Sequence, residues 1–327
     1  MSAGALGAAA SGIACRDSQL WTPEAVRKPA RSSVAILPAD RYEEAYLVDI
    51  VGAGLRLFDL DPRGKRVLLK PNLVEFDPAG VINTNPTLVA ATVEAFRLAG
   101  AADVVVAEGP GHRRDNEYLL KASGLATQLR DTGARYVDLN HDAVRRVTLR
   151  TRFTELGTLY LPETVLDADL FVSMPKLKTH HWAGVTLSMK NLFGIVPGAI
   201  YGWPKNVLHW AGVSGSVIDI NAALDVPRFN IVDGIVGMEG NGPIQGEPRE
   251  VGVLVFGEDP VAVDATGARL MGLDPLRIDY LAETDRFLGN ADGELVDTRG
   301  EPLARFAQDF RVLDAFEHLR IDSARGG

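Results

Sequence analysis

The chain has 327 residues, of which 46% are hydrophobic and 24% charged, with a net charge of −9. This composition is typical of a globular protein and excludes collagen-like, low-complexity and wholly disordered chains. The acidic balance provides no basic face for DNA or RNA, so no nucleic-acid partner is expected. The net negative charge does not exclude a small anionic ligand, because a local group of lysines outweighs the overall charge at short range.

The first 32 residues differ from the rest of the chain. Residues 1–15 are small and apolar, and a polar stretch follows up to about position 32. We interpret 1–32 as a leader and linker, with two alternatives open. It is either a truncated export signal, twin-arginine-like or lipoprotein-like, or the disordered arm of a cytoplasmic protein. No apolar run of 18 residues occurs, so no transmembrane segment is predicted.

From residue 33 onwards, short apolar runs alternate with stretches of helical periodicity. Strands are predicted at 33–37, 66–70, 102–107, 135–139, 169–174, 228–233 and 251–256, and helices at 41–58, 85–100, 115–122, 124–132, 214–224 and 260–270. Such an order predicts an α/β fold with a mostly parallel, doubly wound (Rossmann-like) sheet.

Three further stretches complete the predicted domain. The more polar residues 144–161 are expected to add antiparallel strands, and residues 234–247 a Gly-rich loop. The tail from Asp274 is expected to form a helix, a hairpin and a final helix. Residues 33–322 form either one domain or two lobes with a boundary near 165–215.

Ionisable and amide side chains follow four of the predicted strands. Ligands of parallel sheets bind beyond the carboxyl ends of the strands, where the loops converge. We therefore predict a substrate-binding set at Lys70, Asn72, Glu108, His112, Lys176, Asn191, Asp233 and Asn241. In this set the asparagines orient polar ligand groups, and Glu108 or Asp233 serves as a base.

The stretch between Lys176 and Gly198 carries three lysines and two histidines among apolar neighbours. Crowding of lysines lowers their pKa and makes them usable as bases, nucleophiles or anion anchors. We predict catalytic roles for Lys178, His180 and Lys190, with His180 as the group that transfers a proton. The alternative is that these lysines are solvated and the histidines satisfy backbone carbonyls.

Cofactor signals are few. The adjacent histidines His180 and His181 do not match a tight metal-binding spacing, although His180, Glu108 and Asp233 are candidate ligands for an unidentified metal. The single Cys15 rules out a cysteine-ligated cluster within this sequence. The nucleotide-binding and serine-hydrolase glycine motifs do not occur.

Five stretches of the chain resemble the family called domain of unknown function 362. They are LLKPNLV (68–74), TNPTLVAATVEAFRLAGAADVVVAEGPG (84–111), SMPKLKTHHWAGVTLSMKNLFGIVPG (173–198), IVDGIVGMEGNGPI (231–244) and GEDPVAVDATGARLMG (257–272). The resemblance implies an α/β fold and no established activity. Some relatives carry an added Cys-rich, ferredoxin-like segment, which has no counterpart here, so no iron–sulfur cluster is expected.

Three function hypotheses follow. The leading one is an enzyme, either an isomerase or an oxidoreductase, that acts on an anionic small molecule. The second is a non-catalytic protein that sequesters a cofactor or anion, and the third is a structural subunit; a homo-oligomer is compatible with each. A weaker alternative comes from the Lys/His loop, which is similar to the cofactor-holding region of nickel-pincer lactate racemases. That similarity implies a racemase or isomerase with a metal-containing cofactor.

Overall fold

The computed structural model describes residues 20–22, 24, 26–111 and 115–322. Most of the predicted leader and linker (1–32), namely residues 1–19, 23 and 25, lies outside the described residues, and so does the candidate His112. The described strands are β1 (Ser32–Pro38), β2 (Arg66–Pro71), β3 (Asp103–Glu108), β4 (Arg135–Asp138), β5 (Val144–Thr148), β6 (Thr158–Pro162), β7 (Leu170–Met174), β8 (Lys176–His180), β9 (Gly184–Thr186), β10 (Arg228–Asn241), β11 (Gln245–Gly257) and β12 (Val296–Gly300).

Helices separate most of these strands, and short 3-10 turns add to them. The α-helices are α1 (Glu44–Leu57), α2 (Pro86–Leu98), α3 (Asn116–Ala122), α4 (Leu125–Thr132), α5 (Glu163–Leu166), α6 (Ser188–Asn191), α7 (Gly198–Tyr201), α8 (Asn206–Trp210), α9 (Val213–Ala223), α10 (Pro260–Leu270) and α11 (Asp279–Asp285).

Ten of the described strands form one sheet. Eight of them run in the order β12-β1-β11-β10-β7-β2-β3-β4, and β8 pairs with β10 and β9. Strand β11 is antiparallel to both β1 and β10, whereas the other neighbours in this order are parallel. Strands β5 and β6 form a separate antiparallel pair. The predicted class, a mostly parallel α/β sheet with added antiparallel strands, is confirmed.

Helices cover both faces of the sheet. Alternate residues of a strand point to opposite sides, so neighbouring residues belong to different hydrophobic clusters. Ala35 of β1 packs with Leu47 of α1 in one hydrophobic cluster, which also takes in α2 and α4. Its neighbour Ile36 belongs to the other cluster, with Val217 of α9 and Val263 of α10. Burial on both faces explains why the strand sequences are nearly continuous apolar runs.

Two helices begin as their sequences predict. The side chain of Asn85 accepts a hydrogen bond from the backbone N–H of Thr87, with Pro86 in the first turn of α2. Asp259 caps Val261 in the same way at the start of α10. In both cases a short polar side chain satisfies an N–H group that has no partner within the helix, and proline supplies a helical φ.

Two predictions about local structure are wrong. The stretch predicted as a Gly-rich loop is a long hairpin, since β10 continues to Asn241 and pairs antiparallel with β11 from Gln245. The hairpin predicted in the tail does not form, because β12 pairs with β1 at the far end of the chain. The glycines hide the strand pattern in the first case, and a long-range partner replaces a local one in the second.

Candidate functional site

A cavity of about 280 Å³ opens near the carboxyl ends of β2 and β3, beside β8 and α6. Seven of the residues predicted from the sequence line it: Lys70, Asn72, Glu108, Lys178, His180, Lys190 and Asn191. They come from four separate stretches of the chain, which the parallel arrangement of β2, β3 and β7 brings to one edge of the sheet.

The deepest part of the cavity is a hydrogen-bonded network around Lys70. Lys70 Nζ lies 2.5 Å from Glu108 Oε2 and donates to Asn191 Oδ1 at 3.1 Å. Asn191 Nδ2 donates to the carbonyl of Lys70, which can only accept, so the orientation of this amide is determined. Asn72 Nδ2 donates to the same Asn191 Oδ1. The network holds Glu108 in a buried ion pair.

Gly194 leaves the space in which the side chains of Lys70 and Glu108 form their ion pair. A Cβ atom at this position would collide with the Glu108 carboxylate and with Lys70 Nζ. The Gly194 carbonyl also accepts a hydrogen bond from Gly109 N at 3.1 Å. Glycine is required here by close approach of the backbone to the ion pair.

Three other lysines of the cavity have no carboxylate partner among the described residues. Lys178 Nζ donates to the carbonyls of Ile82 and Pro243. Lys205 Nζ donates to those of Gly109 and Phe193, both at 2.7 Å. Lys190 Nζ lies 4.6 Å from the centre of the Phe193 ring, and no described residue accepts a hydrogen bond from it.

Burial makes these lysines easier to deprotonate. Removal from water disfavours the ammonium form. It lowers the pKa of Lys190 to about 8 and that of Lys205 to about 7, with Lys70 adding repulsion at Lys205. The pKa of Lys178 also falls well below its usual value, because of burial first and the charge of Lys190 second. A bound anion would reverse each shift, since it stabilises the ammonium form.

Backbone contacts determine the tautomers of the cavity histidines when they are neutral. His180 Nδ1 accepts hydrogen bonds from the backbone N–H groups of Trp182 and Ala183, so its proton sits on Nε2. His181 Nδ1 lies 2.7 Å from the carbonyl of Gly242, and His209 Nδ1 lies 3.1 Å from that of Lys205. A carbonyl only accepts, so both Nδ1 atoms carry the proton and both Nε2 atoms keep a lone pair.

His180 is thus suited to donate a hydrogen bond. Burial lowers its pKa well below the usual 6.5, and the charges of Lys190 and His181 lower it further. The neutral ring presents Nε2–H. His181 and His209 carry the lone pairs that a proton acceptor needs, a division of roles that the sequence pattern does not show.

Three predicted site residues lie outside the cavity. Lys176 Nζ pairs with Asp233 Oδ2 at 2.7 Å, and the hydroxyl of Tyr42 donates to Asp233 Oδ1. Both charges are buried and compensate each other, which explains them as a structural pair. Asn241 is exposed in the β10–β11 hairpin and bonds to Gln245.

The candidate metal ligands are not brought together. Glu108 is bound by Lys70, and Asp233 by Lys176, so neither carboxylate is free to join His180. Within the described residues no group of three or more His, Cys, Asp or Glu side chains could hold a metal ion.

Lys205 and His209 are not among the site residues predicted from the sequence, and His181 has no predicted part in catalysis or substrate binding. A signal for Lys205 exists in the sequence: no Asp or Glu occurs between Asp169 and Asp219, in a chain that has 43 of these residues. Such a long acid-free stretch indicates that the lysines within it are not neutralised by local partners.

The fold and the cavity define a doubly wound α/β protein with a cation-lined site at the carboxyl ends of its strands. The chain belongs to the family described as domain of unknown function (DUF362), whose model matches residues 67–269. It is 32% identical over 271 residues to a thylakoid-associated protein of Synechocystis sp., which covers 78% of this chain and 79% of that protein. The resemblance drawn from the sequence motifs is confirmed.

Solved structures are more distant. The lactate racemase apoprotein from Thermoanaerobacterium thermosaccharolyticum matches with 16% identity and a TM-score of 0.45, over 75% of this chain and 58% of that chain. A protein from Thermotoga maritima, determined in a structural-genomics programme, matches with 11% identity and a TM-score of 0.36, over 68% and 57%. The chain thus spans a little over half the length of these two proteins, and no function is carried over from them.

The helices of the described part of the chain are too short or too polar to cross a membrane.

Proposed function

We propose that this protein is an enzyme that acts on an anionic small molecule held in the cavity. The observation that carries the proposal is a set of three lysines that lack a carboxylate partner among the described residues: Lys178 and Lys205, which are buried, and Lys190, which is half-buried. Unpaired buried ammonium groups are costly, and a bound anion offsets that cost.

The arrangement also contains the parts that proton transfer requires. The lysines hold the anion and stabilise negative charge that develops on it. His180 donates a hydrogen bond through Nε2–H, while Nε2 of His209 or His181 accepts a proton. An isomerisation by proton transfer at a carbon beside the anionic group would use both functions, whereas a redox reaction would also require a separate hydride or electron acceptor.

Native mass spectrometry of the protein purified from its own host tests the proposal. We expect a stoichiometric organic anion on the wild-type protein and on Lys121→Gln, a charge-matched control on the exposed face of α3. The anion should be lost from Lys190→Gln. Retention of the same adduct by Lys190→Gln would place the ligand elsewhere and contradict the proposal.

The alternative is a protein that sequesters an anion without converting it. His209→Gln and His181→Gln, made separately and together, separate the two functions, because removal of the proton acceptor abolishes turnover and changes affinity little. The exposed His141 supplies the control variant His141→Gln. If these histidine variants only weaken binding and no conversion of the bound anion is detected with the wild-type protein, the sequestering function is favoured.

A racemase or isomerase with a metal-containing cofactor is the weaker alternative. His181 and His209 offer two nitrogen donors, but the described residues supply no third ligand beside them. The donor set does not fit a protein-ligated metal, and we derive no step through one. Elemental analysis of the same native sample tests this alternative directly.

A further inference from the structure

The wall of the cavity carries two chemically different sets of side chains, which interleave and which we call the cationic zone and the apolar zone. The cationic zone consists of Lys178, Lys190 and Lys205. The apolar zone is formed by six side chains of the wall: Leu73, Val74, Phe193, Pro204, Pro243 and Ile244. Trp182 also lines the cavity and is 61% exposed, so it lies at the opening.

Only part of the cationic zone is accessible. Lys178 and Lys205 are 0% and 1% exposed, whereas Lys190 is half-buried and no described residue accepts a hydrogen bond from it. Lys190 is therefore the lysine that meets a ligand first. A ligand that places its charge against Lys190 also lies close to Phe193, whose ring is 4.6 Å from Lys190 Nζ.

Acidic groups are scarce in the wall of the cavity. Among its described lining residues, Glu108 is the one carboxylate, and Lys70 already binds it. An ammonium group on the ligand would find no free carboxylate in this wall and would be repelled by the protonated lysines. Zwitterions such as amino acids are disfavoured for this reason.

We propose that the ligand is an amphiphilic organic anion, with one oxyanion head in the cationic zone and an uncharged apolar body along the apolar zone. This inference rests on the proposed function and narrows its substrate class. An inorganic anion would leave the apolar zone in contact with water. A volume of about 280 Å³ lies just below the usual range for ligand pockets and suits a small metabolite.

Calorimetric titration with acetate, butyrate, hexanoate and octanoate at pH 7 and constant ionic strength tests the inference. Each buried methylene contributes about 0.8 kcal/mol, which is roughly a three- to fourfold gain in affinity. We expect the dissociation constant to fall by that factor per methylene until the cavity is full. Hexyl phosphate beside hexanoate shows which oxyanion head is preferred.

Two matched probes test the charge requirements on the wild-type protein. We expect 6-aminohexanoate to bind at least tenfold more weakly than hexanoate, because it adds an ammonium group to the same chain. Hexanol should also bind at least tenfold more weakly, because it lacks the charged head. These comparisons need no variant and remain informative if a substitution disturbs folding.

Variants assign the effects to the two zones. Lys190→Gln should weaken all four carboxylates by a similar factor. Trp182→Ala should reduce the gain between hexanoate and octanoate, whereas Trp210→Ala, a tryptophan that is 81% exposed and outside the cavity lining, should not. Equal effects of the two tryptophan substitutions would overturn the assignment of the apolar body to this cavity.

The outcomes separate the two proposals. Equal affinity for acetate and octanoate, or inorganic phosphate binding as tightly as octanoate, overturns the amphiphilic ligand and leaves the anion-binding enzyme standing. Binding of hexanol as tight as that of hexanoate also overturns it. Failure of every anion, inorganic phosphate included, to bind contradicts the proposed function itself.

Discussion

Lys70 and Glu108 hold opposite charges 2.5 Å apart, with 0% and 2% of their side chains exposed. Glu108→Gln leaves a buried ammonium group without its counter-charge, so we expect the free energy of unfolding to fall by about 3–5 kcal/mol. Urea denaturation measures this loss of unfolding free energy. The double variant Lys70→Met/Glu108→Gln should recover part of the loss. The exposed pair Lys121–Glu117 is the control. Here Glu117→Gln should lower the free energy of unfolding by less than about 1 kcal/mol. Similar losses at both sites would show that the buried pair is not stabilised by its charges.

At the scale of elements, α10 positions the helix α6 that carries Lys190. Asp264 in α10 accepts hydrogen bonds from the N–H groups of Ser188 at 2.7 Å and Met189 at 2.9 Å. Asp264→Ala leaves two buried donors unsatisfied, so we expect a loss of about 2–4 kcal/mol and weaker binding of hexanoate. As a control, Asp115→Ala removes the N-terminal cap of α3. It should lower the free energy of unfolding by about 1 kcal/mol and leave the affinity for hexanoate unchanged. Unchanged hexanoate binding in Asp264→Ala would show that α6 does not depend on this contact.

At the scale of the whole molecule, the lysines of the cavity link stability to pH. The pKa of Lys190 is about 8 in the folded protein and 10.5 in the unfolded chain. Between these values the unfolded chain binds a proton that the folded protein does not, so stability rises with pH. We expect the wild-type protein to gain up to about 1.4 kcal/mol per pH unit over Lys190→Gln from pH 8 to 10, by urea denaturation. The stability of Lys121→Gln should change with pH as that of the wild type does. If the stabilities of the wild type and Lys190→Gln change with pH in parallel, the pKa of Lys190 is not lowered in the folded protein.

Much of the candidate site could be predicted because it depends on a few local rules. Lys70 and Glu108 end parallel strands, and the carboxyl ends of such strands meet at one edge of a sheet. Lys178 and His180 follow β7 at the same edge. A polar residue at a strand end is therefore placed by the strand pattern alone.

The remaining site residues could not be assigned in this way. Lys176 and Asp233 follow strands as Lys178 does, yet they pair with each other and lie outside the cavity. Lys176 and Lys178 are two positions apart, a spacing that places strand residues on the same face, so alternation does not tell them apart. Their pairing with β10 jumps from Asp233 beside Lys176 to Met238 beside Lys178, an irregularity that the strand pattern does not show. Lys205 and His209 lie on and beside the short helix α8, whose sequence has no strong periodic pattern.

The sequence by itself determined the fold class, the family, and the limits of most of the helices and strands that it predicted, because these depend on local periodicity, capping and motifs. Tertiary structure alone decided the pairing of β12 with β1, the tautomers of the three histidines, and which lysines share a cavity. Those features arise from contacts between residues far apart in the chain. Such contacts leave no local pattern, since their energy depends on the packed arrangement of the whole sheet and its helices.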